Sequence, residues 1–308
     1  MIKIKDKLLG KGDIFTDIIG QDKTKYDIKS ALLSKRNILI VGAPGIGKTT
    51  MAKNVSNILC GEDKFVRVQG SPDLTVEDLI GDIDPIKAMK FGPMSVEAFT
   101  PGKIFKANKG VLFFDELNRC PEKLQNALLQ VLQEKKCTIG SYDVDFEADL
   151  IFIATINPED SATERMSDVL LDRFDVVYMT YPETIDYEKE IVKKYGEKIC
   201  GVGDDLLHLM AYFVRLLRED SNIEKKPSVR ASFGLYNRSQ ANAILNRRKE
   251  ANFEDMKEAV ISVLAHRIRL KPSIKHIEQP NNYIKKRFED FVKSDIGREL
   301  IKRTGGVG

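Results

Sequence analysis

The chain has 308 residues, 42% of them hydrophobic and 31% charged, with a formal net charge of +3. That is the composition of a soluble globular protein with a core, long enough for one large α/β unit plus a smaller one. No apolar run approaches the ~18 residues of a membrane span, and the charged start MIKIKDKLLGKGD does not fit a secretory signal. The four cysteines (Cys60, Cys120, Cys137, Cys200) are scattered without a CxxC pair, which argues against a zinc site and fits reduced thiols in the cytoplasm. The excess of base falls after residue 183, dispersed through helical patterns and not gathered in one block. Such a region could face nucleic acid or an acidic neighbouring subunit.

In chain order, the first strong signal is the apolar run Ile38–Val41, read as a buried strand, followed by GAPGIGKT at Gly42–Thr49. All eight positions fit GxxxxGK[ST]. Gly42, Gly45 and Gly47 allow positive φ and close approach of the backbone to phosphate oxygens, and the turn opens a helix whose free N–H groups point at an anion. Lys48 is placed to reach the β- and γ-phosphates, and the Thr49 hydroxyl to complete a magnesium shell. The motif in this context implies binding of a nucleoside triphosphate.

Further apolar runs at Phe65–Val68, Val111–Phe114, Ile151–Ala154 and Val176–Met179 alternate with helical patterns. Five such strands predict a parallel sheet flanked by helices. The third strand ends in acids: VLFFDELNR puts Asp115 where it would hold Mg²⁺ and Glu116 where it would orient the attacking water. EKKCTIGSYDVDFEAD, residues 134–149, alternates about Gly140-Ser141 and reads as a β-hairpin. The strand IFIATI then delivers Asn157, an amide able to donate to a phosphate or to the water; an Asn-Pro turn that merely ends the strand is the simpler reading of the same residues. LLDRFDVVY presents Arg173 between acids just before the fifth strand.

Pro182 divides the chain. The expected domains are 1–183, α/β, and 184–308, all helical, with helices over 206–217 and 256–270 and a last one carrying Ile284, Phe288, Val292, Ile296 and Leu300 at spacing four. Within PSVRAS, Ser228 is a plausible cap and Arg230 sits in the first turn. A first-turn arginine opposes the helix dipole, which suggests that it answers an anion.

In this order and spacing the motifs resemble those of AAA+ ATPases, and most closely the magnesium-chelatase ATPase subunit and the MoxR-type ATPases. The resemblance begins at FTDIIGQ (residues 15–21) and runs through Walker A at 42–49, Walker B at 111–116, sensor 1 at Asn157, the DRF of Asp172–Phe174 and a sensor-2 segment at Arg230. It reaches VLAHRIRLKPS at 263–273, and so takes in most of the chain. Residues of about 76–105 look like the family's helix-2 insert and 134–149 like its pre-sensor-1 hairpin.

The resemblance implies a P-loop NTPase fold with an all-α lid and Mg²⁺-dependent hydrolysis of ATP. Glu116, Asn157, Arg173 and Arg230 would be the catalytic residues. Nucleotide would be held by Ile19, Gly20, Gly42, Pro44, Gly45, Ile46, Gly47, Lys48, Thr49 and Thr50, and metal by Thr49 and Asp115. It implies a homo-oligomer, a hexameric ring in which Arg173 acts on the neighbour's ATP, and a protein partner, for which a von Willebrand-type domain is one form. DNA handling is the alternative, because replicative helicases share both inserts.

Overall fold

A computed structural model describes residues 2–10, 12–61, 64–93, 95–138, 145–158 and 166–305, with only the backbone described at 2–4, 136–138 and 145–146. The chain forms two compact units: residues 1–43 with 47–180, and 44–46 with 181–308.

The first unit is built on a five-stranded parallel sheet. Its strands are β1 (Asn37–Val41), β2 (Phe65–Gln69), β3 (Val111–Asp115), β4 (Ile151–Ile156) and β5 (Phe174–Tyr178), arranged β2-β3-β4-β1-β5. Each strand is a short run rich in β-branched and aromatic residues, the composition that suits a pleated surface packed on both faces. Ile38, Leu39, Ile40, Val111–Phe114 and Phe152–Ala154 are accordingly buried. From β1 the chain crosses to the far edge of the sheet and works back through β3 and β4. A crevice is thereby left at the carboxyl ends of the strands, beside β1.

The described residues of 76–105 form secondary structure of their own. Gly81–Ile83 pairs antiparallel with Phe99–Pro101, and between them stands a helix, Pro85–Phe91, started by the Asp84 side chain and a proline in its first turn. The hairpin also forms, Lys136–Thr138 pairing antiparallel with Asp145–Glu147. Its expected turn at Gly140-Ser141 lies outside the described residues.

The second unit is helical. Helices Asp204–Glu219, Val229–Leu245, Phe253–Leu264 and Pro280–Lys293 enclose a core in which Phe213, Phe253, Phe288 and Phe291 pack ring on ring. Three details differ from the sequence pattern. Two miniature ladders, Gly201–Val202 with Glu250–Ala251 and Ile223–Lys225 with Arg269–Leu270, are too short for any periodicity to reveal. The helix expected over 256–270 ends at Leu264, and Arg269–Leu270 belongs to the second ladder. The last stripe is broken as well. Ser294 adopts an extended conformation, ends Pro280–Lys293 and caps Asp295–Arg303 by accepting from the Gly297 N–H at 3.0 Å. The break turns Ile296 out to solvent. No helix among the described residues is long and apolar enough to cross a membrane.

Candidate functional site

Parallel strands bring their carboxyl ends to one edge of the sheet, and the phosphate-loop signature and the acids meet there. β4 lies between β1 and β3, so the end of β1 and the end of β3 are two strand spacings apart, about 10 Å. That gap suits a metal-bound phosphate.

The loop Gly42–Thr49 leaves β1 and enters the helix Lys48–Leu59. Gly45 has φ of 75° and Gly47 of 101°, so two of the three glycines use the freedom that the residue type gives. Gly47 occupies the cap position and has no side chain with which to cap this helix, the arrangement that suits an anion at a helix start. A side chain at Gly47 would meet Met179 Cε at 3.4 Å and Ile18 Cδ1 at 3.9 Å. The segment of residues 15–21, with Ile19 and Gly20, therefore lies against the start of this helix. Asn54 fixes it there by donating to Asp17 Oδ2 at 3.1 Å. The buried Lys48 ammonium donates to the carbonyls of Gly42 and Ala43, which keeps the cation over its own loop.

At the end of β3 the two acids are gripped separately. Asp115 Oδ1 accepts from the Thr155 hydroxyl at 2.7 Å, and Oδ2 accepts from the Arg67 guanidinium at 2.7 Å. Glu116 has φ of 58°, a left-handed conformation that is uncommon outside glycine and asparagine and that turns the chain sharply away from the strand. Its N–H donates to the Thr155 Oγ1 at 3.0 Å. Its carboxylate accepts from Gln69 Nε2 at 2.9 Å and pairs with Arg119 at 2.9 Å. Arg67 also donates to Gln69 Oε1 at 2.8 Å, which joins both acids into one chain of contacts borne by β2. Gly70 follows directly. Its N–H donates to the Asp115 carbonyl at 2.7 Å, and a Cβ there would overlap the Glu116 carbonyl oxygen.

Asn157, at the end of β4, is buried, and its carbonyl lies 3.5 Å from Asn118 Nδ2. The strand order brings the loop, Asp115, Glu116 and Asn157 to the same edge. Arg173 is not among them. It precedes β5, at the amino ends of the strands, about 15 Å of strand away from the acids. There it pairs with Asp172 at 2.8 Å, and its carbonyl accepts from Asn37. Arg230 belongs to the second unit, in the first turn of Val229–Leu245, where its N–H donates to the Ser228 cap at 3.3 Å. Burial, and then the Arg230 charge, push the Arg267 guanidinium below its ordinary pKa, so two cations stand together on this unit.

Arg67, Gln69 and Gly70 lie outside the motifs, and Arg119 and Thr155 lie inside them without a role read from the sequence; all five contact the acids of the candidate site. Arg67 and Gln69 share one face of β2 through the period-two rule. Only the register of β2 beside β3, which pairs Gln69 with Asp115, shows what that face holds.

Comparison with known proteins agrees with this architecture. Residues 37–174 match the model of the AAA domain (dynein-related subfamily), and residues 216–286 match that of the AAA lid domain. The chain is thus an AAA+ ATPase with its lid. It belongs to the group of the MoxR chaperones and magnesium-chelatase subunits. It is 28% identical to Chaperone MoxR1 of Mycobacterium tuberculosis, over 82% of this chain and 72% of that one. A magnesium-chelatase subunit ChlI homolog of Methanocaldococcus jannaschii is 25% identical, over 84% and 86% of the two chains. A solved complex of the magnesium-chelatase subunits BchI and BchD is similar over 85% of this chain and 98% of that one, at 19% identity and a TM-score of 0.46.

Proposed function

We propose that this chain hydrolyses ATP with Mg²⁺ and uses the cycle to remodel or activate a partner protein in the cytoplasm. The observation that carries the reading is the meeting of an uncapped, glycine-turned helix start with two adjacent carboxylates about 10 Å away on one sheet edge. Backbone N–H groups of the loop and the Lys48 ammonium bind the triphosphate. Asp115 and the Thr49 hydroxyl are hard oxygen donors suited to Mg²⁺, which supplies charge neutralisation at the phosphates when bound. Glu116 orients the attacking water and accepts its proton, and the Asn157 amide donates toward the transferring phosphoryl group. Ile19 and Gly20 border the nucleotide. Thr50 and the backbone of Pro44 and Ile46 complete the loop that holds it.

Arg173 lies too far along the sheet to serve its own acids, which favours action on the site of a neighbouring copy in a ring, six-membered in our reading. Arg230, standing beside Arg267, supplies positive charge to a γ-phosphate. The remodelled partner is a protein, and a von Willebrand-type domain is the form we favour.

Single substitutions test the chemistry. Lys48→Ala should abolish ATP binding, whereas Glu116→Gln should keep binding and lower turnover at least ~100-fold, the range of a lost general base. Equal loss of binding in both would sink the assignment of Glu116. Mixing tests the ring. Lys48→Ala subunits keep a good Arg173, and Arg173→Ala subunits keep a good loop, so co-assembled rings should regain part of the activity. No recovery in verified mixed rings would take Arg173 out of the neighbour's site.

A further inference from the structure

The end of the sheet opposite the acids holds a second concave site. A cavity of about 860 Å³ lies at the amino ends of β1, β3 and β4, lined there by Asn37, Gly110 and Ile151. Its volume falls within the range of small-molecule sites, ~300–1,000 Å³. The walls are apolar, with Leu32, Leu59, Val131 and Leu150 among them, and the charged lining is lopsided. Lys5, Lys35, Arg36, Lys109 and Lys135 face one acid, Asp149. Lys135 pairs with Asp149 at 2.8 Å and Arg36 with Asp175 at 3.0 Å. Hydrogen bonding to Lys135 holds the Asp149 carboxyl below its ordinary pKa, with the charges of Lys35 and Lys109 adding to the effect. The acid is therefore ionised at neutral pH and balances one cation. The charges of Lys5, Lys35 and Lys109 remain in excess around an apolar hollow.

The backbone adds an independent observation. Lys35, Lys109 and Lys135 have φ of 55°, 58° and 53°, so three of the left-handed non-glycine residues of this chain are lysines at one cavity. Glycine or asparagine normally fills such positions, because a longer side chain is sterically disfavoured there. Lysine at a helix end does gain from the helix dipole, and Lys35 and Lys135 each stand just after a helix. That gain does not account for Lys109, which follows a single helical turn, Lys103–Lys106. The ion pair with Asp149 accounts for Lys135, and an anionic ligand held by Lys35 and Lys109 accounts for the other two.

We propose that this cavity binds a small amphipathic anion, an apolar or aromatic body with a phosphate, sulfonate or carboxylate head held by Lys35 and Lys109. The site is distinct from that of the nucleotide, about 15 Å away along the strands. Its occupation bears on the segment beside Arg173, whose carbonyl accepts from the cavity residue Asn37.

The test uses the full chain and 8-anilinonaphthalene-1-sulfonate, an aromatic sulfonate that fluoresces when it leaves water. We expect a saturable component of the titration that decyl phosphate or decanoate displaces, the stronger of the two identifying the preferred head, and that decyltrimethylammonium and Mg·ADP leave in place. Displacement by Mg·ADP would put the probe in the nucleotide site and overturn the proposal, and equal displacement by the cation would reduce the cavity to an apolar hollow. The decisive variant is Lys35→Asn with Lys109→Asn. Asparagine tolerates the left-handed backbone, so the fold is kept while both charges go. Binding at least tenfold weaker, with an unchanged melting curve, supports the site; wild-type affinity overturns it. Cys60 also lines the cavity and gives a second readout. Saturating probe should slow its alkylation by N-ethylmaleimide several-fold, and an unchanged rate would place the probe elsewhere. None of these measurements requires ATP turnover, so their failure is separable from failure of the hydrolytic reading.

Discussion

Both units place carboxylates against arginines, and they do so in opposite ways. In the second unit Glu188 and Arg218 are 2% and 7% exposed, joined by two hydrogen bonds of 2.5 and 2.7 Å. The Ser232 hydroxyl also donates to Glu188, and Arg218 donates to the Pro227 carbonyl and covers the Tyr181 ring. Every strong group has a permanent partner, as a buried charge requires. In the first unit Arg67, which holds Asp115, is half exposed. Gln69 and Arg119, which hold Glu116, are open to solvent at the same edge. Exposed pairs are worth little and exchange readily. The Glu188–Arg218 pair is sealed among its own partners, whereas the acids at the sheet edge are held by partners that solvent reaches.

This contrast can be broken by substitution. Arg218→Met should have the largest effect on stability, about 3–5 kcal/mol in chemical denaturation, because it strands Glu188 in the core. The joint change Glu188→Leu with Arg218→Met should recover most of that loss. No recovery would mean that packing, and not charge, dominates the site. Arg67→Gln should cost less than about 1 kcal/mol of stability. Its signature lies elsewhere: with Asp115 released, half-maximal ATPase activity should need several-fold less Mg²⁺. A loss of stability like that of Arg218→Met would erase the distinction between the two regions.

Smallest of all is the effect expected at Asp204. Hydrogen bonds from Lys189 and Lys193 hold its carboxyl at about 2, below the ordinary 3.8. A depressed folded-state value stabilises above the unfolded pKa, and the gain fades as pH falls through the folded one. Asp204 is more than half exposed, so Asp204→Asn should cost under about 1 kcal/mol at neutral pH. That difference should vanish between pH 4 and 2. A difference that persists in acid would mean that the helix start at Gly203, and not the charge, is what Asp204 supports.

The contrast also separates what the sequence reveals from what it hides. The five strands, the glycine loop and the acids at the end of β3 are local signals, each contained in fewer than ten consecutive residues. Arg67, Gln69 and Thr155 are ordinary strand residues until register sets them beside Asp115 and Glu116, and register is a non-local fact. The break at Ser294 was hidden because the apolar spacing runs straight across it, although serine is a good cap. The lysine cavity was hidden for the opposite reason. A left-handed position is usually announced by glycine or asparagine, and three lysines announce nothing.

Gly70 carries one more consequence, best put in terms of mutational history. Any single-base change in a glycine codon that alters the residue, and does not stop the chain, adds a Cβ, and at position 70 that atom has only the backbone of Asp115 and Glu116 to move into. The obstruction is main chain and cannot be relieved by repacking a neighbour. Sequence drift at the end of β2 is therefore closed in one step in every direction. Around it the side chains that hold the acids stay free to vary, so a lineage of this chain can retune how tightly Asp115 and Glu116 are held while the backbone that carries them stays where it is.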